Sequence, residues 1–233
     1  MTELKLFLKL NYRQAKTLNA NKPTIITITG PSASGKTLFA HTIHDELIDE
    51  LGEDGISILS EDAYYRSQSH LTMSEREQTN YDNPSAFEHD LLAEHLKSIT
   101  ENKSIDVPIY CYKTHTRLNE TRRFTPTKIV LVEGILLLTD KALRDQFDIK
   151  VYMDTPLDIC LVRRIKRDLT ERNRSIESVT NQYLETVRPM YYQFIEPSKA
   201  WADIVITRGG KNRMAIEVLK AKIRQLSKLP LQK

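Results

Sequence analysis

Cysteine is scarce in this chain: Cys111 and Cys160 are its only two among 233 residues. Two thiols make neither a disulfide framework nor a four-ligand metal site. Long apolar runs are missing too. No stretch approaches the ~18 residues that span a bilayer, and Lys5 and Lys9 interrupt the short apolar stretch at the start, which therefore does not read as a signal peptide. Nor is there a large excess of charge. The 34 Lys and Arg stand against 31 Asp and Glu, a net charge of +3, which argues for a nucleic-acid partner only if the basic residues cluster. Hydrophobic residues at 40% and charged residues at 28% are ordinary globular usage. No internal repeat and no low-complexity segment is visible. The expectation is a soluble cytoplasmic protein with a sizeable core, no membrane association and no nucleic-acid partner.

What is present is alternation. Runs of β-branched and aliphatic residues occupy 24–29, 56–60, 128–133, 149–154 and 203–207. They are continuous rather than alternating, as in strands covered on both faces. Helical patterns separate them over 36–51, 87–99, 157–172, 176–194 and 214–226. This order, with right-handed crossovers, predicts a three-layer α/β/α domain around a five-stranded parallel sheet. Residues 61–84 are polar and tyrosine-rich, too long for a plain connection and therefore expected to carry function. In 104–125, Ile105, Val107, Ile109 and Tyr110 precede a polar bend and a short run at 122–125, which predicts an inserted hairpin. Residues 1–22 read as a surface extension, with Leu4, Leu6, Leu8 and Leu10 alternating with Lys5, Phe7 and Lys9, ahead of a single domain at 23–229.

Directly after the first strand stand Gly30, Pro31, Ser32, Ala33, Ser34, Gly35, Lys36 and Thr37, which fit G-x-x-x-x-G-K-[ST] at every fixed position. The two glycines let the backbone curl so that successive N–H groups face a phosphate, and the following helix adds the positive end of its dipole. Lys36 reaches the β and γ phosphates and the Thr37 hydroxyl ligates Mg²⁺. The motif predicts nucleoside triphosphate binding and leaves the use of the phosphate open.

Three further groups narrow that use. Glu133 ends a buried-type strand at the edge where such sheets bind ligands, a place for binding Mg²⁺ directly or through water, or for capping the next helix. Asp62, just after the second strand, can take a proton from a substrate hydroxyl and align it with the γ-phosphate. Tyr64, Tyr65, Tyr81, Asp82, Tyr110, Tyr112 and His115 concentrate in the two irregular insertions and suit a ring-and-sugar acceptor. The basic residues do cluster, at Arg163, Arg164, Lys166, Arg167, Arg172 and Arg174, but no separate reading module accompanies them, so a nucleic-acid partner is still not expected. A bend between two helices there suits a lid that closes over triphosphate, against the plainer reading of a solvated helix face with Arg164 paired to Asp168.

In these residues the chain resembles the uridine kinase (uridine–cytidine kinase) family, in wording nearest its bacterial form. The likeness runs from about residue 24 to 226. It is carried by the phosphate loop, Glu61-Asp62-Ala63-Tyr64-Tyr65, Tyr81-Asp82-Asn83-Pro84, Pro108-Ile109-Tyr110, Thr114-His115-Thr116-Arg117, Glu133-Gly134-Ile135-Leu136, Arg163-Arg164-Ile165-Lys166-Arg167-Asp168, Glu171-Arg172-Asn173-Arg174-Ser175, Val187-Arg188-Pro189 and Ala202-Asp203-Ile204-Val205. The resemblance implies a P-loop kinase that transfers the γ-phosphate of ATP or GTP to the 5′-hydroxyl of uridine or cytidine in pyrimidine salvage. Asp62 matches the family's general base, and Thr37 and Glu133 its Mg²⁺ ligands, with Asp62 beside them as a third candidate. Tyr110 and His115 on the hairpin match readers of the pyrimidine edge. Asp82 and Arg164 match ribose contacts, while Tyr65, Arg174 and Gln182 complete the nucleoside pocket. Arg167, counted with Asp62 and Lys36 as catalytic, and Arg172 match phosphate-facing positions of a lid and nucleoside-contact region at 163–182. Homotetramers and end-product inhibition by CTP are implied in the same way. Asn173 replaces the family's usual glycine in the lid bend, and Thr37 stands where serine is common. A phosphoribulokinase-like metabolite kinase is disfavoured, because a sugar phosphate needs no ring-edge readers. A nucleotide-dependent switch would need an output surface that nothing in the sequence demands.

Overall fold

The computed structural model describes residues 22–172 and 174–227; residues 1–21 of the expected extension, Asn173 of the lid bend, and 228–229 at the end of the expected domain lie outside the described residues. Along the chain run β1 (Thr24–Thr29), α1 (Lys36–Leu51), β2 (Ile56–Ser60), α2 (Met73–Glu77), α3 (His89–Thr100), β3 (Ile105–Cys111) and β4 (Thr116–Phe124). There follow β5 (Ile129–Gly134), α4 (Lys141–Gln146), β6 (Ile149–Asp154), α5 (Leu157–Glu171), α6 (Ile176–Gln182), β7 (Ile204–Thr207) and α7 (Arg213–Ser227).

Five strands form one parallel sheet in the order β2-β5-β1-β6-β7. Their unbroken apolar runs are explained by cover on both faces. On one face Ile26 and Ile28 pack with Phe39, Ile43 and Leu47 of α1 and with Ile216, Leu219 and Ile223 of α7. On the other, Ile25, Val130 and Val132 pack with Leu92 and Leu96 of α3 and Leu143 of α4. The result is the three-layer α/β/α sandwich expected. Among the described residues no helix is long and apolar enough to cross a membrane.

Register places the chemistry. Ile28 of β1 lies opposite Glu133 of β5, and Ser60 of β2 lies opposite the same residue. The loop after β1, the end of β5 and the single 3₁₀ turn Glu61–Tyr64 after β2 therefore emerge together at the carboxyl edge of the sheet, where open α/β sheets bind ligands.

Three details depart from expectation. The hairpin's second strand begins at Thr116, not at 122, and pairs antiparallel with β3. Its run TRLNETRRF is mostly polar and exposed, so hydropathy concealed it; His115 at φ 49 makes the tight turn. The helix expected over 176–194 is regular only through Gln182, then widens into π turns at Tyr183–Val187 and Tyr191–Ile195. Pro189 and Pro197 have no N–H to donate, so an unbroken i→i−4 ladder cannot pass them. Short α2 and α4 were not anticipated. Each rests on a local cap, Thr72 with Glu75 and Asp140 with the Leu143 N–H.

Candidate active site

The phosphate loop is shaped by its two glycines. Gly30 takes φ +144 and a Cβ there would lie 2.6 Å from the Met153 carbonyl oxygen; Gly35 takes φ +97 and a Cβ would lie 2.6 Å from the Gly210 nitrogen. Helix α1 begins at Lys36, a buried side chain, so its amino end faces the loop. The loop is braced from outside. The Ser34 carbonyl accepts from Thr155 Oγ1 at 2.9 Å and from Arg163 Nη1 at 3.3 Å, and Arg164 Nη1 donates to Ser32 Oγ at 3.1 Å. The Ser34 hydroxyl is buried with no hydrogen-bond partner among the described residues. A loop shaped by two glycines, with a buried lysine and a spare hydroxyl, fits a phosphate chain.

Behind the loop, Thr37 Oγ1 donates to Glu133 Oε2 at 2.8 Å and Ser60 Oγ to Glu133 Oε1 at 2.6 Å. Burial pushes the Glu133 carboxyl above its ordinary value, Lys36 opposes this, and Asp62 reinforces it. The Asp62 N–H points back to Ser60 Oγ at 3.4 Å. Hydroxyl and carboxylate oxygens on one edge are hard donors. They suit Mg²⁺, which takes one or two carboxylates and completes its shell with water and phosphate. Among the described residues no three His, Cys, Asp or Glu gather as a protein-only cage.

The 3₁₀ turn carrying Asp62 is anchored by its neighbours. Glu61, fully buried, accepts the Leu136 N–H at 3.0 Å and lies 2.9 Å from His89 Nε2. Arg117 donates to the Tyr64 and Tyr65 carbonyls at 3.1 and 2.6 Å and pairs with Glu88 at 2.5 Å. Asp62 itself accepts from the Tyr112 phenol at 2.5 Å.

Above it the insertions supply an aromatic wall. Tyr65 stacks on Phe87 at 4.1 Å between centroids and meets Tyr110 at 4.9 Å and Tyr81 at 5.4 Å. Tyr81 meets His115 at 5.6 Å, and Tyr110 meets Tyr112 at 5.3 Å. Burial raises the Tyr110 phenol and lowers the His115 imidazole. Asp82, buried nearby, is raised by burial and drawn back by Arg164 and Lys36. Tyr64 does not join this wall: it is fully buried in the core beside α3, its hydroxyl 2.9 Å from His95 Nδ1.

The arginine cluster is organised by Asp168, which has no exposed surface. Arg167 contacts it at 2.8 Å, Arg174 at 3.4 Å, Arg172 at 3.7 Å and Arg164 at 3.8 Å. Gln182 Oε1 accepts from Arg174 at 2.6 Å and from Arg164 at 2.9 Å. Arg164, Arg174 and Gln182 thus sit together, with Arg164 also on the phosphate loop. Arg172 lies 5.2 Å from the centroid of the Tyr112 ring.

Several residues here escaped sequence reasoning: Ser60, Phe87, Glu61 with His89, and Gln68, whose N–H and side chain hold Thr116 and Thr79 of the two insertions. Ser60, at a strand end between hydrophobic residues and Glu61, was the one with a local signal. The others are defined by partners far along the chain.

Comparison with known proteins gives the chain's family. The profile of the phosphoribulokinase/uridine kinase family matches residues 25–215. A uridine kinase of Shewanella amazonensis is 57% identical over 209 residues, 90% of this chain and 99% of that protein. One of Tolumonas auensis is 60% identical over 202 residues, 87% of this chain and 94% of that protein. Among solved structures, D-glycerate 3-kinase from Cryptococcus neoformans shares the fold, with a TM-score of 0.59 at 17% identity over 80% of this chain and 86% of that one. The architecture is the α/β fold of P-loop kinases.

Proposed function

The chain belongs to the phosphoribulokinase/uridine kinase family and is a nucleoside kinase, and from that premise we propose that it transfers the γ-phosphate of ATP or GTP to the 5′-hydroxyl of uridine or cytidine, giving UMP or CMP. One observation carries the reading. The aromatic hairpin closes on Asp62, through Tyr112 at 2.5 Å, at the same sheet edge as the phosphate loop. A phosphate donor and a flat-ringed acceptor have their binding elements on either side of one carboxylate.

In this reading the loop amides and Lys36 hold the triphosphate, and Arg167 and Arg172 meet its outer oxygens. Thr37 and Glu133, with Asp62 alongside, would hold Mg²⁺, which would supply positive charge against the triphosphate. Tyr65, Tyr110 and His115 line the pyrimidine. Asp82, Arg164, Arg174 and Gln182 face the ribose and orient the acceptor. Asp62 takes the proton of the 5′-hydroxyl as the new O–P bond forms and the bond from phosphorus to the ADP oxygen breaks. Positioning and fixed charge supply most of the acceleration, as expected for phosphoryl transfer. A partly buried, hydrogen-bonding edge reader excludes rings that leave it unpaired, so purine nucleosides are poor acceptors.

The test is a coupled assay of ADP release with Mg²⁺, ATP or GTP, and a panel of nucleosides. Turnover that depends on uridine or cytidine supports the reading; nucleotide hydrolysis indifferent to every nucleoside sinks it. Assembly as a tetramer and inhibition by CTP belong to the same proposal. They are checked by sedimentation and by titrating CTP into that assay.

A further inference from the structure

We propose that Tyr112 is a positioning residue for phosphoryl transfer: its phenol pins Asp62 by one carboxylate oxygen and leaves the other to receive the acceptor's proton. The inference rests on the reading of Asp62 as the base.

The geometry is specific. Tyr112 follows directly after β3, fifty positions from Asp62 in the chain, and its hydroxyl donates to Asp62 Oδ2 at 2.5 Å. This is the only hydrogen bond to the Asp62 carboxylate among the described residues. A short O–H···O⁻ contact is of the charge-assisted kind, stronger than a neutral one. The ring is 48% exposed, so core packing does not account for it. Its neighbours belong to the site: Tyr110 edge-on at 5.3 Å and the Arg172 guanidinium at 5.2 Å. In that contact the Tyr112 hydroxyl is the donor and the carboxylate the acceptor, so the phenol does not compete as a base.

A carboxylate free to rotate presents its lone pairs in many directions. One held at Oδ2 presents Oδ1 in a fixed direction, the preorganisation that a proton acceptor in phosphoryl transfer requires. The acceptor hydroxyl's proton then passes to Oδ1 as its oxygen bonds to phosphorus, and the electron pair of the breaking P–O bond leaves with ADP. Because Arg172 rests by the same ring, the posture of the base and that of the arginine region are mechanically joined at Tyr112.

The experiment is steady-state kinetics with uridine and ATP on Tyr112→Phe, Asp62→Asn and the double variant. Phenylalanine keeps the ring and removes only the hydroxyl. The expected result is a kcat about 10-fold lower in Tyr112→Phe, with the uridine KM changed less than about twofold, an unaltered unfolding midpoint, and no further loss when the change is added to Asp62→Asn. Parental kcat in Tyr112→Phe overturns the proposal. So does an equal proportional loss in both backgrounds, or a loss of fold, since either makes the hydroxyl structural. Parental turnover in Asp62→Asn alone removes the base itself, a failure of the underlying reading that is visible without Tyr112→Phe.

Discussion

Arg167 lies against Asp168 through Nε and Nη2, each 2.8 Å from Oδ1, and Asp168 has no exposed surface. The same carboxylate faces Arg164, Arg172 and Arg174. One buried acid thus gathers four cations beside the phosphate loop. Removing a partner from a buried ion pair costs about 3–5 kcal/mol, and the partial exposure of three of these arginines places the effect at the lower end. Asp168→Asn is expected to lower the unfolding midpoint by several degrees and to raise the KM for ATP. Thermal unfolding and ATP titration check both; an unchanged KM would show that the arginines hold their places unaided.

Asp62→Asn should lower kcat by about 10²–10⁴ while leaving nucleoside affinity largely intact. Binding measured by calorimetry alongside turnover separates the two effects.

Thr37 offers a finer test of the metal edge, because its hydroxyl meets Glu133 at 2.8 Å. Thr37→Ser keeps the oxygen and should leave the Mg²⁺ dependence of turnover close to that of the parent. Thr37→Ala removes it and should shift the half-saturating Mg²⁺ concentration upward by about 10-fold. Coincident Mg²⁺ curves for the two variants would contradict this.

His115 bears on pH. Burial lowers its imidazole from the ordinary 6.5, with Glu77 opposing and Arg174 and Arg172 adding to the effect. The ring therefore takes up its proton at lower pH than a free imidazole does. If neutral His115 reads the pyrimidine, the uridine KM is constant on the alkaline side and rises only at a pH more acidic than a free imidazole would give. His115→Gln, which does not titrate, should flatten the acid rise. A KM profile that bends above neutrality would tie the reading to another group.

Asp82 carries the opposite sign. Burial raises its carboxyl above 3.8. The folded state thus holds the proton more tightly than the unfolded chain does. The ionised group costs stability that is absent below the unfolded value and grows as pH rises through the folded one. Asp82→Asn should therefore raise the melting temperature at neutral pH by a few degrees, with the gain fading in acid, and should impair nucleoside turnover. Melting curves across pH decide it; a destabilised Asp82→Asn would mean that attraction to Arg164 and Lys36 outweighs desolvation.

Legibility followed locality. The strands Thr24–Thr29 and Ile56–Ser60 and the helix Lys36–Leu51 were readable residue by residue, because apolar runs and the glycine punctuation between them act within a few positions. The polar strand Thr116–Phe124 was not, since its stability comes from pairing with β3 rather than from its own composition. Tyr64 and Tyr65 are adjacent and chemically alike, yet they are buried in different clusters, one beside α3 and the other with Phe87 beneath the hairpin tyrosines. The 3₁₀ turn that separates them is fixed by Glu61, His89 and Arg117, contacts no local pattern announces.

The sequence by itself determined the phosphate loop, the alternation of strands with helices and the stock of acids, tyrosines and arginines, because backbone curl, helix dipole and hydrophobic period are properties of neighbouring residues. Only the tertiary structure decided which of those side chains meet. Thr37 finds Glu133 across 96 positions and Tyr112 finds Asp62 across 50. Such meetings depend on strand order and register in the parallel sheet, and these are set by packing the whole chain at once.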